Sequence, residues 1–284
     1  MTQLPEIVRT LRTMPPLPHV AQRVLETVRD PDYSIDDLVG LVRTDPSLTA
    51  RILKLCNSSL YGLSTEVTTV SNAVAYLGTR NLVKLVLVSC AANHFSAAGS
   101  SQYTEPRTLW RHTFACAIAC QWLANRCGYP QSDAAFTAGI LHNIGKVALS
   151  QVASDSLLVA SAKVEGSHAD VERAIFGIDH ATAAGVVVDA WGLPRELRRA
   201  VRCHHDEEDL CSESPLPAIL NLADTLVLTA GIGNPFPQLP LTIAPLVLDR
   251  LHLTTADVET ATAHVAAEIE RSAELLNLGM LVGR

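Results

Sequence analysis

Five histidines and one aspartate, His112, His142, His180, His204, His205 and Asp224, are spread over about half the chain, each at or near the inward face or the end of an expected helix. Imidazole and carboxylate are ligands of divalent metals. Gathered inside an apolar bundle, they are what a metal-dependent hydrolase needs, with metal-bound hydroxide as nucleophile. The periodicity behind this is specific. Leu109, His112, Thr113, Cys116 and Cys120 fall at i, i+3, i+4, i+7 and i+11, one face of a helix. His180 shares a face with Ala184, Val187, Val188 and Trp191, His204 with Leu197, Ala200 and Val201, and Asp224 with Leu220, Val227 and Leu228. A buried aspartate costs several kcal/mol unless it is paired or bound to a cation, so Asp224 demands a partner. Neutral histidines or a metal would answer that demand. A single inward histidine is more often a hydrogen-bonded core residue than a ligand. Five of the ten, arranged around a buried acid, are harder to explain that way. His19, His94, His168, His252 and His264 are assigned to the surface or to incidental roles.

The elements that must hold these groups are helices. Met14-Pro15-Pro16-Leu17-Pro18 opens the ordered region as a rigid extended segment. Ser34 with Asp37 forms a capping box ahead of an apolar face of Ile35, Leu38, Val39 and Val42. Asp45 caps the next helix, Pro46 takes its first position, and Leu48, Ile52 and Leu55 line its buried side. A helix from about Ser71 stops at Gly78, and another runs from about Arg80 to His94; it is expected to pack two lobes together. The stretch from Ser96 to Pro106 is the clearest linker, dividing an N-terminal helical lobe (1–97) from a second lobe (104–284). Beyond it, breaks recur at Gly128-Tyr129-Pro130, Gly145, Gly166, Gly177, Gly192-Leu193-Pro194, Ser214-Pro215 and Gly231 to Pro240. His142 closes a helix from Phe136, just before Asn143-Ile144-Gly145-Lys146. Few stretches alternate with period two, so the fold is expected to be all-α.

Composition narrows the function classes. Of 284 residues, 48% are hydrophobic and 18% charged, and the net charge is −7 without any long basic run, which argues against nucleic acid as a partner. The seven cysteines, Cys56, Cys90, Cys116, Cys120, Cys127, Cys203 and Cys211, contain no Cys-x-x-Cys pair; they are expected to be buried and unbridged, in a reducing cytoplasm. Met1 to Thr13 lacks the apolar core of a signal peptide. The longest apolar stretch, Leu82 to Ala92, is about half the roughly 20 residues that span a bilayer, so no membrane is expected. Arg195, Arg198, Arg199 and Arg202 form a basic stripe at i, i+3, i+4 and i+7, either a solvated face balanced by the acidic run Asp206 to Asp209 or a receiver for an anion.

In order, His112, His142-Asn143, His180, His204-His205 and Asp224 resemble the HD phosphohydrolase superfamily, especially its cyclic-di-GMP-cleaving branch. The wider context resembles the HDOD domain, an HD-related output domain generally considered non-catalytic. That resemblance rests on Pro16-Leu17-Pro18, Asp45-Pro46-Ser47-Leu48, Cys56-Asn57-Ser58, Ala75-Tyr76-Leu77-Gly78, Trp110-Arg111-His112, Ala138 through Lys146, Asp179-His180, Trp191-Gly192-Leu193-Pro194 and His204-His205, from about residue 14 to 210. It implies a multi-helix bundle of HD type and a possible divalent metal, iron, manganese or zinc, held among His112, His142, Asn143, His180, His204, His205 and Asp224.

Three departures bear on activity. Asn143 stands where the superfamily has the acid that bridges two metals, and a neutral amide cannot supply that charge; a mononuclear site through His112, His142, His180 and Asp224 survives the change. The Gly-Tyr-Pro of the cyclic-di-GMP branch should follow the His-His pair, but His205 is followed by acids, and Gly128-Tyr129-Pro130 reads as an interhelical turn. Lys146 does match a position that helps hold phosphate in active relatives. The expectation is a bacterial signalling module with a degenerate metal site, acting on a protein partner through its N-terminal lobe, with Lys146, Arg198 and Arg202 available to a nucleotide or other anionic ligand. The alternative is a metal-dependent phosphohydrolase acting on a nucleotide or cyclic dinucleotide.

Overall fold

A computed structural model describes residues 4–30, 32–58, 61–96, 103, 105–153, 166–206, 210, 213–233, 241–272 and 276. Cys211, residues 207–209 of the acidic run, most of the Ser96 to Pro106 linker, residues 234–240 and both expected lobe edges near 97 and 104 lie outside them. Among the described residues every regular element is a helix. They fall into two compact units, one within Pro16–Ser96 and Glu270–Arg284, the other within Met1–Pro15 and Ala97–Ile269.

The smaller unit holds α2 (His19–Thr27), α3 (Ile35–Arg43), α4 (Pro46–Cys56) and α5 (Val70–Ser96). Ser34 Oγ accepts from the Asp37 amide and Asp45 Oδ1 from the Leu48 amide, so both helices start where their caps lie. Leu38, Val39 and Val42 are buried as their spacing requires, but Ile35 is 52% exposed. As the first helical residue, its side chain leans back past the helix end, away from the face that its spacing assigned to it. Asn57 uses its side-chain amide as a spare peptide group, donating to the Val67 carbonyl at 2.8 Å and accepting from the Val67 amide at 2.7 Å. Within α5, Gly78 has φ 78°, ψ 161°, which breaks the rod into the two expected helices. By length and composition α5 alone among the described helices could cross a membrane, yet half of its most apolar window is buried inside the molecule.

The larger unit begins with α1 (Leu4–Thr13), a short helix where no ordered structure was expected. Ile7 and Leu11, one turn apart, are each 1% exposed, and α1 packs on α8 and α10 defined below, not with the N-terminal lobe to which its position in the chain assigned it. The remaining helices are α6 (Pro106–Arg126), α7 (Ser132–Leu141), α8 (Ile144–Ser150), α9 (His168–Phe176), α10 (His180–Ala190), α11 (Arg195–Cys203), α12 (Leu216–Thr229), α13 (Pro245–Leu251) and α14 (Thr255–Arg271). The α6–α7, α8–α10, α10–α11 and α6–α12 pairs form the core of this unit.

Small residues set how closely these helices approach. A Cβ on Gly139 would stand 2.5 Å from the Ala117 Cα, so α6 and α7 touch backbone to backbone. At Gly145 a Cβ would collide with the His180 carbonyl oxygen and lie 2.6 Å from the Ala184 nitrogen. This brings α8 and α10 together just where α10 begins with His180. Gly128 (φ 73°) turns the chain between α6 and α7, as an interhelical turn should.

Candidate metal centre

All of the site's elements belong to the larger unit. His112 comes from the middle of α6, and Glu105 anchors the start of that helix by accepting from the Arg107 and Thr108 amides. His142 ends α7, Asn143 precedes α8, and Lys146 lies within α8, all seven of whose residues are buried. His180 opens α10 beside its cap Asp179, which accepts from the Thr182 amide at 2.7 Å. His204 and His205 follow α11, and Asp224 sits in α12 among buried Leu220, Val227 and Leu228.

The five imidazoles form a continuous chain of rings: His112 to His142 at 5.8 Å, His142 to His204 at 5.4 Å, His204 to His180 at 5.4 Å and His180 to His205 at 4.9 Å. Asp224 lies among them. Its Oδ1 is 2.9 Å from His112 Nε2 and 3.6 Å from His142 Nε2, and its Oδ2 is 3.7 Å from His205 Nε2. Cys116, one turn after His112, places Sγ 3.4 Å from His112 Nε2 and 3.9 Å from Asp224 Oδ1. Two groups of donors result, His112, Cys116, His142 and Asp224 in one, His180, His204 and His205 in the other.

The outer nitrogen of each buried ring decides what the inner one offers. His112 Nδ1 donates to the Ile232 carbonyl at 2.9 Å, His142 Nδ1 to Gly139 at 2.7 Å, His204 Nδ1 to Val201 at 2.8 Å and His180 Nδ1 to Glu172 Oε2 at 2.6 Å. A neutral ring protonated on Nδ1 carries its lone pair on Nε2. Four lone pairs therefore face one another and Asp224. Outward Nδ1–H bonds of this kind are how metal-ligating histidines are oriented. Without a cation, a lone pair 2.9 Å from a carboxylate oxygen requires a shared proton. His204 Nε2 is buried with no partner, as is Asn143 Oδ1. The donors present thus fit a divalent cation.

Electrostatics agree. Burial lowers the His142 pKa, opposed by Asp224. Burial, with Lys146 and His204 nearby, holds His180 well below the usual imidazole range, and burial with His205 and His142 does the same to His204. His205 is pushed down to about 3 by burial and His180, although a fifth of its side chain reaches the surface. These rings are neutral, as ligands must be. Burial alone would raise Asp224, but the proton shared with His112 and the closeness of His142 outweigh it and hold the carboxyl well below its usual range.

Asn143 joins the cluster, with Nδ2 2.8 Å from His142 Nε2 and 3.3 Å from Thr113 Oγ1. Lys146 is 3% exposed, and its charge acts on His180, His205 and Cys116. A cleft of about 420 Å³ opens beside His205 and is lined also by Arg173, Asp179, Thr182, Arg202 and Asp206. The stem of Arg202 lies across Gly185, where a Cβ would come within 2.8 Å of it. Arg198, on the same basic stripe, is instead paired with Asp189 at 2.7 Å and does not line the cleft.

Sequence reasoning placed Cys116 on the inward face without naming it as a donor. It missed Glu172 altogether. That buried acid accepts from the His180 amide and Nδ1 through Oε2, and from the Tyr103 hydroxyl at 2.8 Å through Oε1. The signal was its position on the α9 face between His168 and Phe176, both buried. His168 is thus a core residue and not a surface one. The six described cysteines form no disulfide, and four of them are buried.

Comparison with known proteins places this geometry among relatives. The family described as the HDOD domain matches residues 14–207. An uncharacterised protein of Treponema pallidum (strain Nichols) is 25% identical over 234 residues, 80% of this chain but 44% of the relative, so the chain spans less than half of that protein. A crystal structure from Marinobacter aquaeolei, provisionally named a signal transduction protein, superposes with TM-score 0.77 at 23% identity over 98% of this chain and 65% of its own. One from Shewanella amazonensis, provisionally named a phosphohydrolase, gives 0.72 at 23% identity, covering 96% and 97%. An HDOD domain protein of unknown function from Geobacter sulfurreducens gives 0.70 at 22% identity, covering 99% of each. At these identities the likeness establishes a shared all-α fold.

Proposed function

The chain belongs to the HDOD domain family, and from that premise we propose that it is a bacterial signalling module that binds and does not turn over. The observation that carries this reading is Asn143. Beside His142 the site offers an amide, leaving Asp224 as the one carboxylate in contact with the inward nitrogens. Two divalent ions there would face that single carboxylate, with the buried Lys146 ammonium adding to the positive charge. Uncompensated buried charge of this size is strongly unfavourable, so the two-metal clamp that would stabilise the attacking and leaving oxygens of a phosphodiester does not assemble.

What the module binds follows from its surfaces. Arg202 beside His205 suits an anionic ligand such as a nucleotide, held and not cleaved, while Arg173 is engaged by Asp170 and Asp179. The protein partner is assigned to the N-terminal unit, where Ile35 and Tyr76, each 52% exposed, stand out among the described residues as exposed large hydrophobics. Unbridged cysteines suit a reducing cytoplasm. The test is a turnover assay on cyclic dinucleotides with added manganese, iron or zinc, together with recovery of partners from the source cell. We expect no hydrolysis, and a partner whose recovery Tyr76→Ala abolishes at constant metal content. Metal-dependent cleavage by the wild type, lost in His142→Ala, would refute the proposal.

A further inference from the structure

We infer that Cys116 is a metal ligand and that His112, Cys116, His142 and Asp224 form a closed tetrahedral zinc site. The inference deepens the reading above but does not need it, because ligand identity and turnover are measured separately.

Three observations carry it. The first is geometry. Metal bonds of about 2.3 Å to sulfur and 2.0 Å to nitrogen or oxygen, at tetrahedral angles, set nitrogen and oxygen donors about 3.3 Å apart and each about 3.5 Å from the sulfur. The Cys116 Sγ to His112 Nε2 distance is 3.4 Å, the His142 Nε2 to Asp224 Oδ1 distance 3.6 Å and the Cys116 Sγ to Asp224 Oδ1 distance 3.9 Å. Only His112 Nε2 to Asp224 Oδ1, at 2.9 Å, is shorter, as a pair sharing a proton should be until a cation replaces it. All four donor atoms lie within 4.8 Å of one another.

The second is orientation. Both imidazoles in this group are fixed by outward Nδ1 bonds, to Ile232 and Gly139, so presenting both Nε2 atoms requires only that the Asn143 amide, whose Nδ2 lies 2.8 Å from His142 Nε2, turn aside. Cys116 lies one helical turn from His112 on the same buried face, which points its sulfur to the same place.

The third is charge. Two neutral histidines, one carboxylate and one thiolate carry two negative charges, which cancel a divalent ion in a buried site; the thiol proton passes to solvent as the metal binds. Without the thiolate, one positive charge would remain uncompensated in the core. Sulfur also selects the metal, since a thiolate favours zinc over manganese or magnesium. With four protein ligands no coordination position is left for water, which makes the ion structural.

The test uses the full chain loaded with cobalt as a spectroscopic substitute for zinc. The wild type should show a sulfur-to-cobalt charge-transfer band in the near ultraviolet together with the intense visible bands of tetrahedral cobalt. Cys116→Ser should lose the charge-transfer band and bind zinc at least about tenfold more weakly, while circular dichroism confirms that it is folded. Cys120→Ser, one turn further along the same face, should keep both. A folded wild type that binds no cobalt, shows octahedral cobalt without a sulfur band, or loses its band in Cys120→Ser and not in Cys116→Ser, overturns the inference. If Cys116→Ser fails to fold, the wild-type spectrum decides alone. Phosphodiester turnover by a protein with the sulfur band would refute the signalling reading and leave this one standing.

Discussion

Gly145→Ala should destabilise the larger unit by about 2 kcal/mol. The new methyl would meet the carbonyl oxygen of His180 and stand 2.6 Å from the Ala184 nitrogen, where ordinary contacts begin at 3.4 Å. Both obstacles are backbone atoms at the start of α10, so no side chain can swing aside. α8 and α10 must part by roughly the 0.8 Å difference or more, and overpacking of this kind costs about 1–3 kcal/mol. The upper end applies because a helix pair has to move, and the intrinsic gain of alanine over glycine, about 1 kcal/mol, offsets part of it. Gly40→Ala provides the comparison. Gly40 lies inside α3, exposed, with nothing within 4 Å of a Cβ, so only the propensity gain operates and this variant should be stabilised by about 0.5–1 kcal/mol. Thermal unfolding reads both, with each kcal/mol moving Tm by about 2–4 °C in the larger unit, which holds Gly145, and by about 4–8 °C in the smaller, which holds Gly40. Metal content should fall in Gly145→Ala alone, because the displaced α8 follows directly on His142 and Asn143. A Gly145→Ala protein as stable as the wild type would show that α8 and α10 are not in backbone contact and would undo the placement of Lys146 beside His180.

Glu172→Gln should cost about 2 kcal/mol by weakening the hydrogen bonds to the His180 ring, its amide and the Tyr103 hydroxyl; unchanged stability in a denaturant titration would exclude an orienting role for this acid. In metal-free protein, His180, His204 and His205 are neutral when folded, with pKa values below those of the unfolded chain. The unfolded state therefore binds more protons as pH falls below about 6.5, and stability should be full above that point and decline down toward about 3; stability rising on acidification across this window, read by denaturant titration, would contradict the burial of these rings. Arg202→Ala should weaken binding of a cyclic dinucleotide in calorimetry, and Arg198→Ala should not, since Asp189 already engages it; the opposite order would move the ligand off the cleft.

Much of the site was legible in sequence because helical periodicity alone decides which way a side chain points. Thr113 and Cys116 turn inward for the same reason as His112, and Asp224 could be assigned to the core from Leu220, Val227 and Leu228. The two helices on either side of Gly78 were equally readable. Other features depend on contacts between elements far apart in the chain. Arg198 and Arg202 share one stripe, and only the placement of Asp189 and Gly185 separates their fates. Glu172 was hidden because its helix folds back to reach His180, a turn made at Gly177 in the left-handed conformation. α1 was overlooked because its apolar face, with Ile7 and Leu11 buried, precedes the Met14 to Pro18 segment at which the ordered region was taken to begin.

The exit of α12 has a mechanical consequence. Gly231 and Ile232 close that helix by bonding back to Leu228 and Val227, and the Ile232 carbonyl then accepts from His112 Nδ1, while Gly233 lets the chain pass where a side chain would come within 2.5 Å of the His112 Cβ. The strap that secures one imidazole is thus the continuation of the rod that carries the carboxylate opposite. A substitution that shifts the exit of α12 therefore disturbs the imidazole of His112 and the carboxylate of Asp224 together.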